Sequence, residues 1–432
     1  MRAAEFDSFP SNPAKDASWA QASQSLTWPA TNVGGPNCFL GMIVCLARYN
    51  RQNPRVLNPR DVAINLRDDR FLGYDRNMPI WTWLIPVSAI ASLITALAAG
   101  VGTILTVVCG LILMGTVIAA VHHAEVVAHR VGEPFGTLVL AVAVTVIEAA
   151  LILSMVIAGG KDMAVLARDS IYAAVMIICT GVVGICVLVG GIAHREQTFR
   201  VEGAGAGLAA LIVMSALTLV LPAFTTTTPG GTYSSSQLGF VAVSSAALWA
   251  IFIFVQTVRH RDYFIPETDA ANPDVHAEPP TTREAWVSFG MLLVSLVAVV
   301  GLAKILSPTI ERAVEAANAP RAVVGIVIAA LVLLPETWAA ARAARANRLQ
   351  SSMNLAIGSA LACIGLTVPV VVLASAAFKL PLVLGLESKD IVMLMLTFLV
   401  SAVTLGTGRT YLMQGAVHLV LFAAYLFLSF VP

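Results

Sequence analysis

The stretch from Gly136 to Ala158, GTLVLAVAVTVIEAALILSMVIA, is long enough to cross a bilayer and carries one charged residue, Glu148, near its middle. About twenty apolar residues span the roughly 30 Å of hydrocarbon, and a carboxylate held at that depth costs roughly 2.5–3.5 kcal/mol on insertion scales. A group kept there at that cost faces protein or a water-filled cavity, and it points to a functional site. A second stretch repeats the first. When Glu148 is laid on Glu336, GTLVLAVAVTVIE sits over GIVIAALVLLPE, which begins at Gly325. Two halves of the chain thus each bury one acid.

Composition agrees with a membrane setting. Of the 432 residues 58% are hydrophobic and 12% charged, and the mean hydropathy of +0.82 belongs to a polytopic membrane protein rather than a soluble domain. A net charge of +1 offers no basic surface for a nucleic-acid partner. The lipid bilayer is the expected surrounding, and no resident cofactor is expected. The six cysteines, Cys38, Cys45, Cys109, Cys179, Cys186 and Cys363, lack the close pairing of metal or redox motifs and read as buried packing residues.

Residues 1–78 differ from the rest, with Pro, Asn and Ser early and Arg48, Arg51, Arg55, Arg60, Arg67, Arg70 and Arg76 later. Their apolar run, Cys38–Ala47, is too short to span and has no basic region directly before it, so a cleavable signal is not expected there. A polar, poorly ordered cytoplasmic extension is expected, with a short interfacial helix near Phe39–Arg48 as the alternative.

From Ile80 onward the hydrophobic runs divide into about eleven spans, near 80–99, 101–121, 136–158, 170–192, 205–223, 238–257, 285–306, 322–341, 352–374, 389–407 and 410–430. With the amino terminus inside, the inner connections hold Arg130, Arg195, Arg200, Arg259, Arg261, Arg283, Arg342, Arg345, Arg348 and Arg409. The outer connections hold Lys161, Arg168, Lys304, Arg312, Arg321, Lys379 and Lys389, and the uncharged loop Thr225–Gln237 fits that side. The arginine bias therefore puts the amino terminus in the cytoplasm and the carboxyl terminus outside a bacterial inner membrane.

The two acids fall in the third and eighth spans, and an odd separation of five reverses the direction of the chain through the membrane. The expected fold is all-α and polytopic: one leading helix followed by two inverted five-helix repeats, with an ion site at the repeat interface near the midplane. The corresponding segments are 1–78, 79–257, a cytoplasmic linker 258–284 rich in Asp, Glu and Pro, and 285–432.

Five runs then carry a resemblance: HHAEVVAHRVGEPFGTLVLAVAVTVIEAALI (122–152), HREQTFRVEG (194–203), LVLPAFTTTTPG (219–230), FVQTVRHRDYF (254–264) and ARAARANRLQSSMNLAIGSALACIGLTVP (341–369). Together they resemble the bacterial sodium–calcium/proton antiporters of the cation/calcium exchanger superfamily. The resemblance covers about 78–432 and leaves the first 78 residues unexplained. It implies an eleven-helix exchanger that expels calcium, sodium or potassium in return for protons, its two repeat glutamates binding cation and proton in turn. Glu148 and Glu336 match those positions.

The chain departs from the wider superfamily where a Gly-Asn pair usually precedes each acid. Val144 and Thr145 stand before Glu148, Val332 and Leu333 before Glu336, and Ala362 replaces an amide in the ninth span. Calcium takes six to eight oxygens, so the missing amides leave room for Thr145, Ser170, Asn354 and Ser359 as secondary ligands. Pro335 frees a backbone carbonyl one turn before Glu336, either for the ion or simply as a helix kink. His122, His123 and Glu125 cluster where the second span nears the inner surface, as a proton relay or as a solvated interfacial face. Asp169 beside Arg168 reads as an interfacial pair.

The expected activity is secondary active exchange of calcium for protons by alternating access at the two glutamates. Two facing carboxylates suit a divalent ion, whereas the missing amides favour the alternative, monovalent-cation/proton exchange for alkaline-pH and salt homeostasis. A passive channel is a further alternative, although no repeated filter-like loop is present. No H-E-x-x-H or G-x-S-x-G pattern suggests an enzyme.

Overall fold

The computed structural model describes residues 79–100, 102–132, 135–159, 164–264, 280–316, 320 and 322–431. The extension 1–78, with Cys38, Cys45 and the alternative helix near Phe39–Arg48, lies outside the described residues, as does 265–279 of the linker.

In hydrocarbon no backbone N–H or C=O can stay unpaired, so the apolar runs close their hydrogen bonds as helices. In chain order these are α1 (Trp81–Ala99), α2 (Thr103–Val131), α3 (Phe135–Gly159), α4 (Leu166–His194), α5 (Val201–Ala223), α6 (Ser235–Arg259), α7 (Thr282–Ala316), α8 (Ala322–Arg345), α9 (Leu349–Phe378), α10 (Ser388–Leu405) and α11 (Leu412–Phe430). Among the described residues ten helices are long and apolar enough to cross a membrane. The remaining one, α3, has 25 residues, of which Val139–Ser154 form the apolar stretch.

Two helices outrun their expected limits. Helix α2 continues to Val131, past 121, because nothing breaks it before Gly132. That residue has φ 75° and its N–H returns to the Ala128 carbonyl, a conformation glycine adopts without strain. His122, His123 and Glu125 therefore belong to a helix. Helix α7 runs to Ala316 with Pro308 inside it, which puts Lys304 and Arg312 on a helix rather than in a connection.

Helix neighbours repeat with an offset of five. Helix α3 packs on α9 as α8 packs on α4, α6 packs on α9 as α11 packs on α4, and α2 packs on its own counterpart, α7. Helix α1 packs on α2 and α7 and stands outside the repeat. The direction also inverts. Gly325 of α8 touches Asp169 and Ser170 of α4, and the Arg345 carbonyl of α8 meets His194 of α4 at 2.8 Å, so these two helices run the same way. Helix α3 leads through a short connection back into α4, so α3 and α8 run oppositely.

At the arginine-rich end, polar contacts tie the connections together. Strands β1 (Glu196–Thr198) and β2 (Arg409–Tyr411) pair antiparallel, Glu196 opposite Tyr411. Buried Gln197 donates to the Ala344 carbonyl at 2.8 Å and to Asn347 Oδ1 at 3.0 Å, and the Gln350 side chain accepts from the Arg200 backbone at 2.6 Å. The link between Arg409 and Glu196 at 3.3 Å is exposed and contributes little.

Helices α4 and α11 approach closely through glycine. A Cβ on Gly415 would lie 2.5 Å from the Leu188 nitrogen, and one on Gly191 would lie 2.8 Å from the Leu412 nitrogen. These are backbone atoms and cannot move aside as a flexible side chain would.

Candidate cation site between α3, α8 and α9

Glu148 of α3 and Glu336 of α8 are 5% and 8% exposed. They lie close enough to interact electrostatically, on helices that pack against each other and against α9. Sequence reading expected this meeting of the two repeats, and the inverted packing produces it.

Their surroundings differ. Glu148 Oε1 accepts a hydrogen bond from Cys363 Sγ of α9 at 2.8 Å. One turn further along α9, the buried Thr367 hydroxyl faces Glu148 without closing a hydrogen bond of ordinary geometry. Among the described residues neither carboxyl oxygen of Glu336 has a hydrogen-bond partner. Buried polar groups are nearly always paired, so this buried carboxyl group is an exception that singles Glu336 out. Pro335 has no N–H to return to the Leu331 carbonyl, which adds a further oxygen to the same helix.

Beyond Glu148, toward the end away from the arginines, the buried side chains are largely apolar. Leu151, Ile152 and Val156 of α3 join Val324, Ile328 and Val332 of α8 and Val371 of α9 in one buried cluster. Toward the arginine-rich end Asn354, Leu355, Gly358 and Ser359 of α9 are half-buried, and the space beside Gly358 is open.

Of the four secondary candidates, two are near the acids. Thr145 lies one turn before Glu148, buried, its hydroxyl donating to the Ala141 carbonyl at 2.8 Å. Ser359 lies one turn before Cys363 on α9. Ser170 and Asn354 are not brought to the acids. Ser170 packs at the level of Gly325, and at 1.5 Å rise per residue that is about 16 Å along α8 from Glu336. Asn354 is occupied elsewhere, donating to the Phe264 carbonyl at 2.6 Å and accepting from Gln350 at 2.8 Å.

The expected relay cluster divides. His123 has no exposed surface, which corrects the solvated interfacial alternative for that residue. Its Nε2 donates to the Thr82 carbonyl of α1 at 3.0 Å, and its Nδ1 lies 3.3 Å from Ser288 Oγ of α7. His122 packs on Trp81, ring centroids 5.3 Å apart. Both imidazoles thus join α2 to neighbouring helices. Glu125 is the one of the three within electrostatic reach of Glu336, and it reaches Arg342 as well. Asp169 and Arg168 do pair, at 2.7 Å, but in a largely buried position, with Arg168 also donating to the Gly385 carbonyl at 3.0 Å.

Cys363 is the residue that sequence reading missed. Cys109, Cys179 and Cys186 are buried and free as expected, whereas Cys363 touches a site carboxylate. The spacing Ser359, Cys363, Thr367 was a usable signal, because residues four apart share a helix face. A hydrogen bond to a charged acceptor contributes about 1.5–3 kcal/mol. Cys363→Val is therefore expected to raise the half-saturating cation concentration about tenfold, with Cys363→Ser closer to the parent, read in transport assays at equal protein level. Equal affinity in the Val variant would remove Cys363 from the site.

Comparison with known proteins agrees with this architecture. The family model described as sodium/calcium exchanger protein matches residues 101–258 and 287–431, the two runs of helices that repeat each other. The protein y4hA of Sinorhizobium fredii is 46% identical over 360 residues, covering 82% of this chain and 97% of that protein. The sodium-potassium/proton antiporter ChaA of Escherichia coli is 35% identical over 320 residues, covering 74% and 86%. The structure of native YfkE superposes with a TM-score of 0.61 at 19% identity, covering 81% of this chain and all of that one, which speaks to the fold. The chain belongs to the sodium/calcium exchanger protein family and is a multi-pass membrane antiporter of the cation/calcium exchanger superfamily.

Proposed function

We propose that the protein exchanges calcium for protons across a bacterial inner membrane by alternating access at Glu148 and Glu336. The observation that carries this reading is the pair itself: two buried carboxyl groups, one from each inverted repeat, within electrostatic reach, one with both oxygens unpartnered. Burial disfavours an uncompensated charge, so each group is stable when it holds a proton or faces a cation. Proton and cation exclude each other on the same oxygens. If the protein reorients only when both acids are neutralised, a proton gradient drives the cation the other way.

The remaining residues take supporting roles. Glu125, within electrostatic reach of both Glu336 and Arg342, is the candidate for proton exchange with the arginine-rich end. Thr145, Ser359 and Cys363 supply neutral atoms around the acids. The buried apolar residues Ile152, Val156, Ile328 and Val371 are the candidate barrier toward the opposite end. The arginine-rich end faces the cytoplasm by the positive-inside rule.

Charge balance favours calcium, since two carboxylates match two positive charges. A second reading, sodium or potassium for protons, is supported by the likeness to ChaA, a sodium-potassium/proton antiporter 35% identical to this chain. One acid would then keep its proton while the other binds the monovalent ion. Everted vesicles carrying an imposed proton gradient distinguish the readings. Calcium, sodium and potassium are each titrated, from neutral to alkaline pH, and proton release is followed. Calcium acting at the lowest concentration is the expected result. Sodium or potassium acting below calcium throughout replaces the cargo, and no release with any of them ends the antiport reading.

A further inference from the structure

The middle of α4 is not a regular helix. Residues Ile177–Val182 form a π-turn in which every residue is buried, and such turns, which break the ordinary hydrogen-bond register, often mark functional positions. Helix α8 packs along α4. Gly325 packs on Asp169 and Ser170 at one end and Arg345 meets His194 at the other, so Glu336 falls at about the level where the π-turn ends. Helices α9, α10 and α11 also contact this turn.

Polar side chains converge there from α10 and α11. Thr397, Ser401 and Thr404 lie on one face of α10, all buried, and His418 of α11 has no exposed surface. His418 Nδ1 lies 2.8 Å from the Cys179 carbonyl oxygen within the π-turn, and its Nε2 lies 3.0 Å from Thr404 Oγ1. Thr397 donates to Met176 Sδ at 3.4 Å, one residue before the turn. A carbonyl only accepts, so Nδ1 carries the hydrogen, and the neutral ring accepts the Thr404 hydroxyl at Nε2. Gly184 allows the approach, since a Cβ there would lie 3.1 Å from His418 Cβ. An apolar side chain would fill this interface without the desolvation cost of an imidazole. The imidazole does something leucine could not, which is to hold a carbonyl of the turn.

We propose that His418 is a positioning residue for exchange, its Nδ1–H holding the Cys179 carbonyl so that the π-turn of α4 keeps the shape that borders Glu336. The proposal rests on the reading that Glu336 binds the transported cation. His418 itself does not touch the ion. It sets the wall against which Glu336 presents its oxygens.

Three substitutions test it in everted vesicles, with calcium, sodium and potassium as probes and the folded fraction of each variant measured in detergent. His418→Asn keeps an amide N–H near the Nδ1 position, His418→Gln moves the donor to the Nε2 position, and His418→Leu removes it. Loss of one positioned hydrogen bond is expected to raise the half-saturating cation concentration about tenfold in the Leu and Gln variants, with the Asn variant near the parent. A role in packing alone would lower the folded fraction and leave half-saturation of the folded protein unchanged. Equal half-saturation among the folded variants overturns the proposal, as does an Asn variant no better than Leu in both folded fraction and half-saturation. Glu336→Gln in the same vesicles keeps the two failures apart. Exchange retained in that variant removes the site reading itself, whereas exchange lost there with a parent-like His418→Leu removes only the role of His418.

Discussion

Glu148→Gln and Glu336→Gln each abolish proton-coupled exchange while leaving the protein inserted and folded. The amide keeps the length and shape of the side chain, and at Glu148 its oxygen can still accept from Cys363 Sγ. At Glu336 neither oxygen has a hydrogen-bond partner among the described residues, so the substitution breaks no hydrogen bond described there. What disappears is the ability to trade a proton for a cation. Removing one partner of a buried pair of opposite charges, here a carboxylate from its bound cation, costs about 3–5 kcal/mol, so cation binding should weaken more than a hundredfold. The measurement is cation-driven proton release in everted vesicles at matched protein level. Exchange retained by either well-expressed variant would sink the two-carboxylate mechanism.

Gly415→Val lowers the thermal stability of the detergent-solubilised protein sharply, whereas Gly290→Val on α7 changes it little. A Cβ at Gly415 meets the Leu188 nitrogen at 2.5 Å, the Leu188 Cα at 2.9 Å and the Gly184 oxygen at 3.0 Å. All three are backbone atoms of α4, so the helices themselves must separate. Without a hydrophobic force between helices in lipid, close packing of small residues is a main source of association. Overpacking of a well-filled interface costs about 1–3 kcal/mol, and a contact with rigid backbone belongs at the upper end. At Gly290 nothing lies within 4 Å of the added carbon. Matching melting temperatures for the two variants would mean that α4 and α11 do not pack through Gly415 as described.

The sequence by itself determined the helices, the repeat and the two acids. A bilayer makes hydrophobic length a local property, so the apolar runs around Glu148 and Glu336 were legible without any tertiary contact. Helix ends were less legible, as α2 shows, because its limit was set by the backbone of Gly132 rather than by hydrophobicity. Only the tertiary structure decided which side chains share the site. Sequence spacing gives the depth of a residue along its own helix, but not which neighbour it faces or how far that neighbour has slid. Ser170 therefore looked available yet sits at the level of Gly325, and Asn354 is bonded to Phe264. Cys363 looked like packing and instead reaches Glu148, because α9 crosses α3 at that turn and presents that face.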